Sequence, residues 1–232
     1  AASVMWGASL VRRLRSQPSW RQGTDLRWNK LLSFGGHSTI HTVSMALQPW
    51  LALWLLQQFG ATPAELGWFV LASYVLQLFA LPANFAMPLI LARASKATGV
   101  GRSYDLSRPM RDIWALVLIG GFAVAAAMPV GVPLLLGEAY RPAIAACVWM
   151  AAAGPAVFIG RLATALLLGR GHVRTVTLLL VLRVALSALG IWLGASGKFH
   201  PLDRVTAAAA SWALTEVIIG VCLATWAKAL RQ

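Results

Sequence analysis

Acidic residues are scarce in this chain: seven Asp and Glu in 232 residues, against 20 Lys and Arg, so that charged residues make up only 12%. A soluble domain carries about 25% charged residues and about 45 to 50% apolar ones. Here 59% are hydrophobic and the mean hydropathy is +0.69, which excludes a soluble domain. Only two cysteines occur, Cys147 and Cys222, both inside apolar stretches. They behave as small hydrophobes and offer neither a disulfide framework nor metal-ligand spacing. Period-two alternation is missing, which argues against a transmembrane barrel. So are enzyme signatures: there is no P-loop, no HExxH, no GxSxG elbow and no paired carboxylates, since Asp105 and Asp112 lie in a basic connection and the other acids are scattered. The connections poor in basic residues are roughly five to ten residues, too short for the external domain of a membrane glycosyltransferase or polymerase. The chain is expected not to be an enzyme and to carry no cofactor and no metal.

What is present is a series of long apolar runs, at 34–58, 66–92, 113–136, 143–169, 175–196 and 206–228. A bilayer-spanning helix needs roughly 20 apolar residues, so each run is a predicted span. The expected fold is an all-α, polytopic membrane helix bundle, with six transmembrane helices plus the tail of a preceding helix. The expected division is an end of a preceding helix and basic cytoplasmic linker over 1–33, followed by a six-helix lobe over 34–232.

A net charge of +13 would suggest nucleic acid in a soluble domain, but in a membrane chain it is first a matter of topology. Arg12, Arg13, Arg15, Arg21, Arg27 and Lys30 precede the first span; Arg93, Lys96, Arg102, Arg108 and Arg111 follow the second; Arg170 and Arg174 follow the fourth; Lys228 and Arg231 end the chain. The opposite connections hold only Arg141, Lys198 and Arg204. By the positive-inside rule both ends and the basic connections are expected in the cytoplasm. The charge therefore implies no nucleic-acid partner. Residues 1–11 are apolar, too short to span, and run into a basic cluster that comes after the apolar stretch, whereas a signal peptide has its charge before it. They are expected to be the end of an earlier helix in a longer protein.

Pro49, Pro82, Pro88, Pro129, Pro133 and Pro155 fall within predicted spans. Two readings stand. Interior prolines remove backbone hydrogen bonds and accompany broken helices in transporters; proline is also simply more frequent in membrane helices than in soluble ones.

Three turns resemble one family. Leu55 to Phe69 (LLQQFGATPAELGWF), with Ala72 to Tyr74 and Ala86 to Ala94 (AMPLILARA), is similar to the seventh and eighth helices of polysaccharide and lipid-linked oligosaccharide flippases of the MOP superfamily. Leu134 to Ala143 (LLLGEAYRPA) resembles that family's external turn between the ninth and tenth helices, and Leu166 to Thr175 (LLLGRGHVRT) its next cytoplasmic turn. Their order and spacing imply the C-terminal six-helix lobe, with residues 1–11 as the tail of the sixth helix. The resemblance implies translocation of a polyprenyl-linked saccharide across the bacterial cytoplasmic (inner) membrane, by alternating access between this lobe and an N-terminal lobe of the same chain. The implied partners are the lipid-linked saccharide and membrane lipids. In one respect the chain departs from the pattern: Gln48 to Leu56 (QPWLALWLL) lacks the charge that the family often carries before the external turn.

Ionisable groups within spans are functional candidates because each costs a few kcal/mol, roughly 2.5 to 3.5 at the bilayer centre on insertion scales. Arg161 and Arg183 lie at matching depth on consecutive antiparallel helices, roughly 12 Å below the cytoplasmic surface at about 1.5 Å per residue. Guanidiniums so placed suit a phosphate; the alternatives are snorkelling to the headgroups and an ion pair with Glu216. Glu216, near the middle of the last span, is either a coupling group or the structural partner of an arginine. His37 and His41, four residues apart, share a helix face, and Ser38, Thr39, Thr42 and Ser44 make the first half of this helix polar; the readings for the two histidines are cavity lining, then polar packing, then a metal. Trp68, Trp114, Trp192, Trp212 and Trp226 are expected as interfacial anchors, and Trp50 and Trp54 as packing residues or sugar-stacking ones. Besides a flippase, two further functions fit the pattern: a non-transporting membrane scaffold subunit, and a drug or cation antiporter of the same superfamily, which would need a more acidic cavity.

Overall fold

A computed structural model describes residues 28–99, 107–196 and 203–229. His37 and His41 lie on described backbone, but their side chains are outside the described residues, as are residues 1–27. The chain divides into two compact units between His37 and Ser38. Of the first unit only a helical stretch from Trp28 is described; the second holds the bundle.

Every described element is helical. The order is α1 (Trp28–Gln58), α2 (Pro63–Gly99), α3 (Ser107–Leu136), a 3₁₀ turn (Glu138–Ala143), α4 (Ile144–Gly169), α5 (Val173–Ala195) and α6 (Arg204–Ala229). Helices α2 to α6 each contain a stretch long and apolar enough to cross a bilayer. The architecture is an all-α, polytopic membrane bundle. Several helices extend beyond the apolar runs. For example, α2 continues to Gly99 through Arg93, Ala94, Lys96 and Ala97, good helix formers that carry the backbone past the point where hydropathy falls. All six span prolines sit inside helices that continue through them.

The starts and ends of these helices are chemically marked. Thr62 and Glu65 form a capping box at α2: the Glu65 carboxylate accepts from the Thr62 N–H at 2.7 Å, and the Thr62 hydroxyl accepts from the Glu65 N–H at 3.3 Å. Asp203 caps α6 by accepting from the Thr206 N–H at 2.7 Å. The α4–α5 turn closes on Gly171, whose φ of 86° is left-handed and suits a residue without Cβ.

Helix α4 is the centre of the bundle. It packs closely on α2, α3 and α6, and α5 packs on α6. Small residues allow this: a Cβ built on Gly160 would meet the Gly220 Cα at 3.2 Å, so α4 and α6 touch almost backbone to backbone. Close packing of small residues is how membrane helices associate where lipid is as apolar as Leu. The α1–α2 and α3–α4 connections meet at one end, where the Trp68 indole N–H donates to the Ala139 carbonyl at 3.2 Å. At this end Arg204 Nη1 donates to the Phe59 carbonyl and Glu138 pairs with Arg141. The opposite end carries Arg93, Lys96, Arg170, Arg174 and Lys228, with Arg170 Nη1 donating to the Ala227 carbonyl at 3.2 Å.

Candidate functional site

The site is built from five helices, of which α4 supplies Val157 and Arg161, one turn apart. On α1, Gln48, Ala52, Leu55 and Leu56 are all buried and recur at helical spacing, so they define the core-facing stripe. Gln48 is the polar member of that stripe. On α2, Gln77, Ala80 and Asn84 succeed one another at intervals of three and four and share a face. Helix α5 supplies Arg183 and Ser187, one turn apart, and α6 supplies Trp212 and Glu216, also one turn apart.

These side chains converge on one carboxylate oxygen. Oε1 of Glu216 accepts from Arg183 Nε at 2.8 Å and from Arg183 Nη2 at 2.6 Å. It also accepts from Trp212 Nε1 at 2.8 Å and Gln48 Nε2 at 3.2 Å. Gln48 Nε2 donates in addition to the Ser187 hydroxyl at 2.9 Å. Arg183 and Glu216 are 9% and 4% exposed, so Arg183 does not snorkel. A buried ion pair is tolerable only when further hydrogen bonds supplement the Coulomb attraction, and Trp212 and Gln48 supply them.

Arg161 is placed differently. Its Nη1 donates to the Asn84 side-chain oxygen at 2.7 Å, whereas its Nε is buried with no acceptor. Asn84 is neutral, and among the described residues no carboxylate lies within ion-pair distance of Arg161. Of the two guanidiniums only that of Arg183 is paired with a carboxylate, and the half-buried Arg161, beside the exposed Asn84, carries the excess positive charge. Both arginines line a cavity of about 310 Å³, together with Ala46, Gln48, Pro49, Leu76, Gln77, Ala80, Val157 and Trp212. Both also line a smaller space of about 30 Å³ that reaches Glu216 and Thr164. Chemically the larger one offers donors in excess of acceptors and suits an anionic group.

Some expectations are corrected. Trp212 is not an interfacial anchor: it is 4% exposed, stacks at a tilt on Phe69 with ring centroids 5.7 Å apart, and donates to Glu216. Its apparent nearness to a helix end came from the span boundary, whereas the side chain points inward on the same stripe as Glu216. Trp50 and Trp54 are 73% and 54% exposed and so are not packed in the core. They lie opposite the stripe of Gln48 and Ala52. Gln48, Asn84, Ser187 and Trp212 had no signal in the sequence beyond being polar or indole positions within spans. For Gln48, Ser187 and Trp212, the i, i+4 relation to a core residue or a charged one was the one available clue. Among the described residues no three His, Cys, Asp or Glu side chains gather in a way that could hold a metal. Cys147 is buried and Cys222 exposed, and both are free.

No family model matches the chain, and neither do curated proteins or solved structures.

Proposed function

We propose that this chain is a transport lobe that moves a lipid-linked saccharide across the bacterial cytoplasmic membrane, with the phosphate of the lipid carrier drawn to Arg161 and Arg183. The observation that carries the reading is the cavity of about 310 Å³ with two guanidiniums on its wall and one of them without a carboxylate. An excess cation in an apolar span costs several kcal/mol unless something compensates it. A phosphate is such a compensating group, and guanidinium donors match its oxygens. The lipid chain remains in the bilayer and only the polar head needs the cavity. Alternating access requires a second lobe to rock against this one, as the family resemblance implies. Both chain ends lie in the cytoplasm in this reading, because the basic end of the bundle is then the inner one.

The decisive substitution is Arg161→Gln, since Arg183 cannot be neutralised without stranding Glu216. The expected result is loss of surface polysaccharide with normal membrane insertion. In vesicles, uptake of a polyprenyl-pyrophosphate saccharide should fall roughly tenfold or more, the equivalent of one hydrogen bond to a charged group. Equal export by the variant and the parent overturns the phosphate reading.

A further inference from the structure

Helix α1 is held differently from the others. Among the described residues it makes almost no close backbone approach to another helix. Its attachment runs through side chains, Ala52, Leu55 and Leu56 in the core and Gln48, and just beyond its end Arg204 holds the Phe59 carbonyl. On the N-terminal side of Gln48, the described Thr39, Ile40, Val43, Ala46 and Leu47 are all exposed. Ser44 is half-buried, and Gln48 is the first fully buried side chain of α1 among the described residues. It is 3% exposed and lines the cavity beside Arg161 and Arg183.

The tie is built to be exchanged. Of the four contacts on Glu216 Oε1, that from Gln48 is the longest, at 3.2 Å. Without Gln48 that oxygen still accepts from Arg183 and Trp212. An anion in the cavity presents oxygens to the same amide, so one charge-assisted hydrogen bond replaces another at little net cost.

We propose that Gln48 is a third donor to the anionic group held by Arg161 and Arg183, and that it leaves Glu216 and Ser187 to reach it. Occupancy of the cavity then replaces the direct ties of α1 to Ser187 on α5 and Glu216 on α6 by a longer one through the anion. This rests on the cavity being the anion site proposed above. A ligand shifts such an equilibrium only by its differential affinity for the two states, and the Gln48 contact supplies that difference.

The test uses the full chain in nanodiscs, with Cys147→Ala and Cys222→Ser, spin labels at Leu47→Cys on α1 and Leu189→Cys on α5, and inorganic pyrophosphate as the probe. Both label sites are exposed, at 48% and 53%. In the parent, pyrophosphate should lengthen the label-to-label distance. Gln48→Met should give the longer distance with and without pyrophosphate and bind it roughly tenfold more weakly. Ser187→Ala, which leaves the amide and the anion contact intact, should shift the unliganded distance towards the longer one without weakening binding. Pyrophosphate that binds the parent without moving α1 overturns the latch alone, as does a Gln48→Met protein that responds like the parent. Failure of pyrophosphate to bind the parent overturns both the latch and the anion site.

Discussion

Glu216 takes donors from three helices on a single oxygen, and that arrangement separates what each charged residue does. The Arg183–Glu216 contact at 2.6 Å is a structural pair, whereas Arg161 is held by a neutral amide. Removing one member of a buried pair costs about 3 to 5 kcal/mol, because the other is left buried and charged; removing both is often neutral or stabilising. Arg183→Met and Glu216→Met alone are therefore expected to lower the melting temperature of the detergent-solubilised protein sharply, and the double variant to recover most of the loss. A double variant no better than the worse single one would show that the two side chains do not act as a pair. The charged residues were legible because an ionisable group in an apolar run is conspicuous. Their neutral partners were not: Gln48 and Ser187 are ordinary polar residues of membrane helices until the fold sets them 2.9 Å apart across 139 positions of sequence.

Among the elements, α4 and α6 are joined through glycine. A Cβ on Gly220 would lie 2.6 Å from the Ala156 carbonyl oxygen, a backbone atom that cannot swing away. Gly220→Ala should force the two helices apart at the level of the small space beside Glu216. Overpacking of this kind costs typically 1 to 3 kcal/mol, so thermal unfolding should come earlier, and the loss should exceed that of Ala224→Ser on the same helix. An unchanged melting temperature would mean that the two helices have slack there. Nine of the twelve helix ends were readable from the apolar runs to within three residues, and three, at Trp28, Gly99 and Ser107, lie six or seven residues beyond them. The end at Gly99 was not readable because Arg93 to Gly99 continue α2 by helix propensity after hydropathy has ended. No sequence pattern indicated that α1 would stand apart from the other helices, since its composition resembles theirs and the difference lies in what its faces meet.

For the molecule as a whole, charge is sorted by end. Glu65, Glu138, Arg141, Asp203 and Arg204 occupy one end, with the acids and bases mixed, and the described charged side chains of the other end are all basic: Arg93, Lys96, Arg170, Arg174 and Lys228. If the basic end faces the cytoplasm, Glu138→Cys should react with a membrane-impermeant thiol reagent from outside intact cells, and Arg174→Cys only after permeabilisation. Both positions are exposed, so failure to label would not be due to burial. The reverse pattern would invert the topology and place the cavity's arginines nearer the outer surface.

Composition and hydropathy by themselves determined that this is an all-α membrane chain, how many apolar runs it has and which ionisable residues lie within them. Those properties are local: a run of some twenty apolar residues leaves the backbone no option in lipid but to bond to itself as a helix. The tertiary structure alone decided that Arg183 is neutralised by Glu216 while Arg161 is not, that Trp212 serves the core and not the interface, and that Gln48 joins α1 to the charged pair. Each of those depends on which helix faces turn towards one another, a property of packing between segments that no single segment encodes.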